Sequence, residues 1–416
     1  MADVRPMSAL RPPAALAARV SAPPYDVMDV EEARTLAAGN PDSFLHVSRP
    51  EIDLPPDVDP YDAQVYRQGR RALEEFVARG VLVRDTAPGY LVYRQTWNGA
   101  CQTGVVGCAA VADYESGLIR THEHTRPDKE NDRVRHVDAL AAHDEPVFLL
   151  TPPSADLGKL IAEVTAEPPE YDFTTGDGVG HVLWPVSRPD RVDALREALT
   201  ALPTLYVADG HHRSAAAVTV HGLRRQRRAE SGADSGAGED AAFLAVVFPS
   251  DELRILPYNR VVADLAGHTP ATLLDALADR FEVTPAAGAV EPDRRHDFGL
   301  YLAGQWYRLS ARPGLVDETG PISRLDVTVL QEQVLAPLLG IGDPRTDTRI
   351  RFVGGIRGTA ELERLVDAGS AAVAFSLYPT SVDELLAVAD AGTVMPPKST
   401  WFEPKLRSGL FVHPLD

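Results

Sequence analysis

The stretch YVADGHHRSAAA at residues 206–217 places two histidines and an arginine between an apolar segment and an alanine-rich one. The preceding TLYVA predicts a buried strand, and the following SAAAVTVHGL predicts a helix. The polar cluster therefore lies between the C-terminal end of a strand and the start of a helix. In α/β proteins, ligands collect at that edge of the sheet, and the free N–H groups of a helix start favour an anion.

The composition is that of an ordinary globular protein, with 44% hydrophobic and 24% charged residues in a chain of 416. At about 100–200 residues per domain, this length predicts two or three domains. The 60 acidic residues outnumber the 41 basic ones and give a net charge of −19. Such a charge repels nucleic acid and anionic membranes, so neither is expected as a partner. A phosphate site would have to be a local basic pocket.

The cysteine content and the N-terminal sequence are those expected of a protein in the reducing cytoplasm. Cys101 and Cys108 form neither a CxxC pair nor a disulfide framework. The first residues lack the continuous apolar core of a signal peptide, and no run approaches the ~18 apolar residues that span a membrane. We therefore expect a soluble protein of the reducing cytoplasm. Its oligomeric state is left open.

Strand and helix signals alternate along the chain. Helices are predicted from about Val30 to near Gly39, at 61–79 with Gly80 as its stop, at 188–202, from Pro270 after the N-cap Thr269, and after a Ser381/Glu384 capping box. One β-hairpin is predicted around NGACQ, with strands in YLVYRQTW and TGVVGCAAVADY. A second is predicted from DFGLYLAG and QWYRLSAR. PVFLL and AAFLAVVFP predict buried strands. The low-complexity stretch 224–240 is interpreted as a mobile surface loop.

This alternation predicts an α/β protein with mixed sheets. We divide it into an N-terminal α/β part at 1–150, an inserted subdomain at 151–202, a core strand–helix segment at 203–265 and a C-terminal α+β part at 266–416 with a loop-like tail.

The segment RTHEHTRPDKENDR at 120–133 concentrates charged and imidazole side chains just before a helix. Its THEHT flanks Glu123 with imidazoles and hydroxyls, which is how a general base is oriented and tuned. A solvated charged loop is the alternative. A zinc site is disfavoured, because HEH lacks the i, i+4 spacing of HExxH and no cysteine pair is near.

The segment ADGHHR at 208–213 is a plausible phosphate cradle. Glycine lets the backbone approach a phosphate closely, the helix N–H groups bind an anion, and Arg213 can contact it bidentately. The segment matches neither a Walker loop nor a Rossmann fingerprint. The alternative is that Asp209 only caps the helix while the histidines hydrogen-bond to loops.

Two proline-stiffened segments, PPYDV at 23–27 and MPPKST at 395–400, are either rigid turns or parts of the same site. Lys398 and its two neighbouring hydroxyls suit a phosphate or a carboxylate. Since loops on a rigid scaffold often carry function, we expect both segments and THEHT to converge on the cleft formed by DGHHR.

Taken together, SAPPYDV, THEHT, YVADGHHR, LPYNRVV and MPPKSTWFEPKL resemble a large bacterial and archaeal family known as a conserved domain of unknown function, over nearly the whole chain. DGHHR after a strand also resembles the motif of free serine kinases built on the ParB/sulfiredoxin-type fold, whose relatives carry a G-x-H-R box at the same turn. Their upstream HE loop supplies the catalytic glutamate, and THEHT resembles it. The resemblance implies a ParB/sulfiredoxin-like nucleotide-binding core with inserted or appended α+β subdomains. An insertion at roughly 152–200 would account for the roughly 80 residues between the two motifs.

The resemblance and the chemistry of phosphoryl transfer together imply roles for individual residues. Glu123 would be the general base, assisted by His122, Asp209 and His212, and Asp209 would hold a metal or a ribose hydroxyl. The expected contacts to the nucleotide phosphates come from Gly210, His211, His212, Arg213, Lys129 and Arg133. The expected contacts to the acceptor come from Tyr25, Asp26, Arg120, Arg260, Lys398, Ser399 and Thr400.

The resulting hypothesis is a cytoplasmic kinase that uses ATP or ADP with Mg²⁺ to phosphorylate free serine or a similar small hydroxy amino acid. The alternative is a ParB-like regulatory protein that binds or hydrolyses a nucleotide. A sulfiredoxin-like activity is disfavoured, because His211 stands where sulfiredoxins carry the nucleophilic thiol.

Overall fold

The computed structural model describes residues 2–232 and 238–416. The chain forms two compact units, one made of Met1–Leu253 with Pro404–Asp416 and the other of Arg254–Glu403. This division differs from the four parts proposed from the sequence. The reason is long-range strand pairing, since strands from the proposed insertion and from the proposed core belong to one sheet.

The first unit is built on a mixed sheet. The strands of its N-terminal part are β1 Val4–Arg5, β2 Leu10–Arg11, β3 Val83–Arg84, β4 Tyr90–Trp97, β5 Ala100–Ala110, β6 Ile119–Arg120, β7 Ala142–His143, β8 Val147–Thr151, β9 Tyr171–Thr174, β10 Gly180–Val186, β11 Leu205–Asp209 and β12 Ala242–Pro249. The order across the main sheet is β6-β11-β8-β12-β5-β4-β10-β9, with β1 beside β5. The pairs β6/β11 and β8/β12 are parallel, whereas β11/β8 and β12/β5 are antiparallel.

Helices cover this sheet and place the polar turns at its edge. They are α1 Ala17–Val20, α2 Val30–Ala37, α3 Leu45–Ser48, α4 Ala63–Ala78, α5 Val111–Glu115, α6 Pro127–Leu140, α7 Ala155–Thr165, α8 Pro189–Thr200 and α9 His211–Ser231. Within the described part of the chain, no helix is long and apolar enough to cross a membrane.

Two groups of buried apolar side chains hold the helices of this unit, and the second involves the helices that follow the motifs. The sheet is joined to α7 and α8 through Leu149, Leu157 and Leu195, each at most 1% exposed. Helix α6 packs on α9 through Val134, Val137, Ala216 and Val220. Burial of one such side chain contributes about 1.5–3 kcal/mol, so these contacts hold both helix starts in place.

Several local predictions are confirmed. The NGACQ hairpin is the pair β4/β5, and its turn residues Asn98 and Gly99 have φ of 48° and 74°, as a type I′ turn requires. Helix α4 is followed by Gly80 at φ 69°. The loop predicted at 224–240 is wrong over residues 224–231, which continue α9 because Arg227 and Arg228 pair with Asp138 and Asp240. The rest of that prediction falls largely at 233–237, outside the described residues.

The second unit carries an antiparallel sheet. Its elements are β13 Ile255–Leu256, β14 Tyr258–Val262, α10 Pro270–Ala278, β15 Phe281–Ala286, β16 Asp297–Leu302, β17 Gln305–Ala311, α11 Asp326–Leu330, β18 Ile350–Gly354, α12 Gly358–Asp367, β19 Val373–Leu377, α13 Val382–Asp390 and β20 Trp401–Phe402. The sheet order is β15-β17-β16-β19-β14-β18, and β13 pairs with β20. The hairpin β16/β17, the N-cap Thr269 and the Ser381/Glu384 capping box are confirmed.

Candidate functional site

Three connections of the first unit meet at one edge of its sheet. Because β6 and β11 are parallel neighbours, their C-terminal ends point to the same edge. The loop 121–126 follows β6, and the turn at Asp209 and Gly210 follows β11. Strand β8 runs antiparallel to β11, with Phe148 opposite Asp209, so residues 144–146 before β8 reach that edge as well. This is the edge at which a ligand site was predicted.

The predicted strand–turn–helix at DGHHR is confirmed. Strand β11 ends at Asp209, and α9 begins at His211 after Gly210 at φ 98°. A Cβ at position 210 would also lie only 3.2 Å from the guanidinium carbon of Arg213. Glycine is needed here both for the left-handed backbone and for the close approach of Arg213.

We expect Gly210→Ala to lower the free energy of unfolding by about 1–2 kcal/mol, because an L-residue is strained at this backbone conformation. The matched control is Gly222→Ala in the middle of α9, where the structure leaves open space. That variant should be up to about 1 kcal/mol more stable, because alanine is the better helix former. Urea unfolding of both variants checks this, and a Gly210→Ala protein as stable as the parent would contradict it.

The THEHT and DGHHR motifs lie together despite their separation in sequence. The backbone N–H of His122 donates to Nε2 of His211 at 3.5 Å, and that of Arg126 donates to Nε2 of His212 at 3.0 Å. The rings of His122 and His211 meet edge to face, 4.6 Å between centroids. Two hydrogen bonds therefore fasten the Glu123 loop to the first two residues of α9.

Two of the imidazoles are neutral. Burial lowers the pKa of His122 to about 3 and that of His211 to about 4. Because the backbone N–H of His122 donates to Nε2 of His211, the proton of the neutral His211 ring is assigned to Nδ1. His122 and His211 thus contribute hydrogen-bonding groups to the site and no positive charge.

This burial predicts loss of stability in acid. The unfolded chain protonates its histidines near pH 6.5, whereas His211 in the folded protein does so only at about pH 4. Between these values the unfolded state binds more protons, so stability falls as the pH falls from about 6.5 towards 4. His211→Gln should reduce the slope of the unfolding free energy against pH by about 1.4 kcal/mol per pH unit. Urea unfolding at several pH values measures both slopes, and equal slopes would contradict the assignment.

Arg213 is buried against the end of β11. Its guanidinium lies 3.1 Å from Oδ2 of Asp209 and donates to the carbonyl oxygen of Pro146. Burial disfavours its charge, but the negative charges of Asp209 and Glu145 outweigh burial and raise its pKa. The guanidinium is thus permanently charged and oriented by the protein. Asp209 also faces Nζ of Lys405 at 3.5 Å.

Asp209 was expected to bind a metal, and its surroundings do not fit that role. Its carboxylate is already opposed by two cations, Arg213 and Lys405. Throughout residues 2–232 and 238–416, no group of three or more His, Cys, Asp or Glu side chains could hold a metal ion. Among the described residues, the surroundings of Asp209 therefore do not fit a protein-held Mg²⁺ site.

The PPYDV segment reaches the same edge, as predicted. The backbone N–H of Tyr25 donates to Oε1 of Glu145 at 2.9 Å. The guanidinium carbon of Arg133 lies 3.9 Å from the centre of the Tyr25 ring. The negative charge of Asp26 acts on Arg213. PPYDV and THEHT therefore each approach the DGHHR edge of the sheet.

Two buried charged residues lie next to these motifs, Arg133, which the sequence analysis named, and Glu145, which it missed. Glu145 and Arg133 are 5% and 6% exposed, and both line a small cavity together with Arg213. Glu145 accepts hydrogen bonds at Oε1 from Tyr25 and from Ser408, while Arg133 pairs with Asp132 at 2.7 Å. Oε2 of Glu145 and Nη1 of Arg133 have no hydrogen-bond partner among the described residues.

The protonation of this pair follows from its surroundings. Burial and the neighbouring charge of Asp144 raise the pKa of Glu145 well above its usual range, although Arg213 and Arg133 oppose the shift. Burial also acts against the charge of Asp144, but His136 at 3.0 Å outweighs it and lowers the pKa of that carboxyl. Glu145 therefore takes up a proton more readily than its neighbour.

Two other predicted residues of this unit have different partners. Lys129, expected at the phosphates, donates to the hydroxyl of Tyr61 at 2.9 Å, because its position on α6 directs it towards that ring. Arg120, expected at the acceptor, lies at the end of β6 with its guanidinium 5.9 Å from the ring centre of Tyr206.

The remaining predicted acceptor residues belong to the second unit. Arg260 is buried and donates to the carbonyl oxygens of Tyr258 and, at 2.9 Å, Lys398, and burial lowers its pKa to about 9. Nζ of Lys398 lies 5.7 Å from the centre of the Tyr258 ring. Ser399 donates to the carbonyl of Pro396 at 2.7 Å, next to the half-buried Thr400. Arg260 thus holds the MPPKST loop by its backbone, and convergence of this loop with the first-unit motifs stays a prediction.

Comparison with known proteins identifies the family. The sequence profile of DUF1015, described as a protein of unknown function, matches residues 4–328. The chain belongs to the DUF1015 family. The predicted membership of a family with a conserved domain of unknown function is confirmed. The DUF1015 match includes PPYDV, THEHT and DGHHR and ends before MPPKST. No curated protein matches the sequence.

Solved structures similar to this DUF1015 protein share little sequence with it. A free serine kinase in complex with AMP is 13% identical, with a TM-score of 0.34 over 72% of this chain and 86% of that chain. A conserved hypothetical protein from Pyrococcus furiosus is 13% identical, with a TM-score of 0.34 over 73% and 93%. SbnI with a C-terminal truncation, from Staphylococcus aureus, is 12% identical, with a TM-score of 0.38 over 73% and 85%. The function of the DUF1015 protein has to be inferred from its own residues.

Proposed function

We propose that this chain is a phosphotransferase that moves a phosphoryl group from ATP or ADP to the hydroxyl of free serine or a similar small hydroxy amino acid. One observation carries the proposal: the loop that bears Glu123 is hydrogen-bonded to the first two residues of α9, at a turn suited to an anion. Phosphoryl transfer needs a proton acceptor and a cluster of positive groups side by side. The Glu123 loop and Arg213 would supply these two parts at this edge of the sheet.

The turn is suited to the phosphates of the donor. The N-cap of α9 is Gly210, which has no side chain to cap the first N–H groups of the helix. Those N–H groups and the positive end of the helix dipole favour a phosphate. Arg213 adds a permanent charge whose orientation is fixed by Asp209 and Pro146.

Glu123 is suited to the acceptor. The acceptor oxygen attacks the terminal phosphorus, and the bond from phosphorus to the bridging oxygen of the nucleotide breaks. The leaving ADP or AMP keeps that electron pair, and the hydroxyl proton passes to the Glu123 carboxylate. Arg213 and the N–H groups of the turn stabilise the charge that spreads over the phosphoryl oxygens. No step is assigned to a protein-held metal, and the nucleotide enters as its magnesium complex.

Glu145 and Arg133 give a reason to expect an amino acid as acceptor. Their unpartnered atoms within the described residues, Oε2 and Nη1, carry the charges that complement an ammonium and a carboxylate group. A buried charge is costly unless it is paired, so such a pair favours a ligand that carries both opposite charges. Arg133 was expected at the nucleotide phosphates, and its contact with Tyr25 favours the acceptor instead.

The test is a transfer assay with the purified full chain. It is incubated with the magnesium complex of ATP or ADP and with L-serine, L-threonine, L-homoserine or, as the acceptor without a hydroxyl, L-alanine, and the products are measured by mass spectrometry. We expect a phospho-amino acid and ADP or AMP in equal amounts, with no phospho-product from alanine. Nucleotide binding or hydrolysis without any phospho-amino acid would overturn the proposal and favour the nucleotide-binding regulatory alternative.

A further inference from the structure

Residues 404–409 return to the first unit and run along the candidate site; we call them the C-terminal strap. Ser408 exchanges two backbone hydrogen bonds with Ala22, of 3.1 and 2.9 Å, just before PPYDV. Its hydroxyl donates to Glu145 at 2.9 Å. Lys405 reaches Asp209 at the end of β11. The strap therefore contacts three of the segments that form the site.

A pair of buried glutamines fixes the start of the strap. Gln95 on β4 and Gln102 on β5 face each other in register and are 0% and 3% exposed. Nε2 of Gln95 donates to the carbonyl of Lys405 at 2.8 Å, and Nε2 of Gln102 donates to Gln95 at 2.9 Å and to the carbonyl of Pro404 at 3.3 Å. Buried amides are costly unless they are hydrogen-bonded, so the central hairpin is built to receive this backbone.

The backbone that follows Lys405 is also held in place. Arg407 is buried, pairs with Asp177 and donates to the hydroxyl of Thr175 at 3.0 Å. At Gly409, where φ is 84°, a Cβ would lie 2.6 Å from Phe44. Anchors before and after Lys405 thus fix its backbone, and its ammonium group extends to Asp209.

We propose that Lys405 is a further catalytic residue, whose ammonium group binds the transferring phosphoryl group at the DGHHR turn. This inference rests on the proposed function. Asp209 carries one negative charge and faces two cations, Lys405 and Arg213, beside an uncapped helix start. Glu145 and Asp26 also act on Arg213 and balance part of its charge. The ammonium group of Lys405, held beside the uncapped start of α9, is therefore the cation that suits an anionic ligand.

Lys405 and Arg213 differ in how exposed and how firmly held they are, which suits them to different roles. The side chain of Arg213 is 8% exposed and is held by Asp209 and Pro146, whereas that of Lys405 is 17% exposed. Lys405 is therefore the more accessible of the two cations. A compact ammonium on a flexible stem can follow a phosphoryl group as it moves between donor and acceptor. Asp209 keeps that ammonium at the turn before the nucleotide arrives.

The test compares Lys405→Met and Lys405→Arg in the full chain, with Lys159→Met on the exposed face of α7 as the matched control. Two readouts are used: affinity for inorganic pyrophosphate by calorimetry, and phosphoryl transfer to L-serine. We expect Lys405→Met to bind pyrophosphate about tenfold more weakly and to lose about 10²–10³-fold in kcat/KM. Lys405→Arg should recover most of the affinity, since it keeps the charge, and part of the turnover.

The two readouts separate this inference from the proposed function. If pyrophosphate affinity falls in Lys405→Met and no variant transfers phosphate to any acceptor, the anion-binding role of Lys405 stands and the kinase proposal fails. If Lys405→Met equals the Lys159→Met control in both affinity and turnover, the role of Lys405 is overturned. Thermal unfolding followed by circular dichroism checks that all three variants are folded.

Discussion

Glu123→Gln lowers the rate of phosphoryl transfer by about 10²–10⁴-fold and leaves nucleotide affinity almost unchanged, because a general base acts on the acceptor proton and not on the phosphates of the donor. This loss corresponds to roughly 3–5 kcal/mol of activation free energy. Glutamine keeps the size of the side chain and most of its hydrogen bonding, so the loop fastened by His122 and Arg126 should remain in place. Single-turnover kinetics and calorimetric titration with nucleotide measure the two quantities.

The matched control for this variant is Glu115→Gln at the exposed end of α5. It removes one negative charge from the same unit, so it accounts for any general effect of net charge on nucleotide binding. Near-normal turnover of Glu123→Gln would exclude Glu123 as the base. Glu145 would then be the next residue to test, because burial and Asp144 already raise its pKa well above its usual range.

Local structure, such as turns and helix caps, was predictable from the sequence wherever one short segment determines it. The Asn98–Gly99 turn, the Ser381 capping box and the glycine turn at position 210 each depend on residues within about four positions of one another. The position of DGHHR at a sheet edge followed from the same kind of signal, because a buried strand and an alanine-rich helix adjoin it. The part of the site that lies at the end of a single strand, the DGHHR turn, was therefore predicted from the sequence.

The rest of the site depends on contacts between distant segments. Glu145 joins the site because β8 runs antiparallel to β11, and Lys405 joins it because the strap returns to the central hairpin. No local pattern specifies either pairing. A faint signal was present for Lys405, since it is the penultimate residue of the motif MPPKSTWFEPKL, but Lys398 in the same motif looked equally suitable. The structure adds the contact of Lys405 with Asp209, at 3.5 Å.

The loop prediction for the arginine-rich stretch at 224–240 was partly wrong for a related reason. The stretch after Leu223 is rich in arginine and small residues, which is typical of a loop, yet α9 continues to Ser231. Arg227 and Arg228 are paired with Asp138 on α6 and with Asp240 before β12, and Gly232 ends the helix at φ 68°. The arginine, glutamine, alanine and glutamate residues at 224–230 are good helix formers, and these ion pairs with other elements add to the stability of the helix. The same long helix places DGHHR at the start of a rigid element.

Arg213→Ala should impair nucleotide binding and turnover together, in contrast to Glu123→Gln, because a guanidinium on a phosphate acts in both the bound state and the transition state. We expect kcat/KM to fall by about 10²–10³-fold, with a weaker nucleotide affinity accounting for part of the loss. Stability should also fall, because removal of Arg213 leaves the carboxylate of Asp209 and the carbonyl of Pro146 without this partner. Breaking a buried ion pair from one side typically costs about 3–5 kcal/mol.

Arg213→Lys separates the effect on stability from the effect on binding. Lysine restores the charge next to Asp209 but not the forked geometry that contacts Asp209 and Pro146 at the same time. It should recover most of the free energy of unfolding and only a minor part of the nucleotide affinity. Urea unfolding and nucleotide calorimetry on the same preparations give both values. If Arg213→Ala were destabilised but bound nucleotide as tightly as the parent, Arg213 would be a structural residue, and the anion-binding role of the turn would fall to Lys405 and the N–H groups of α9.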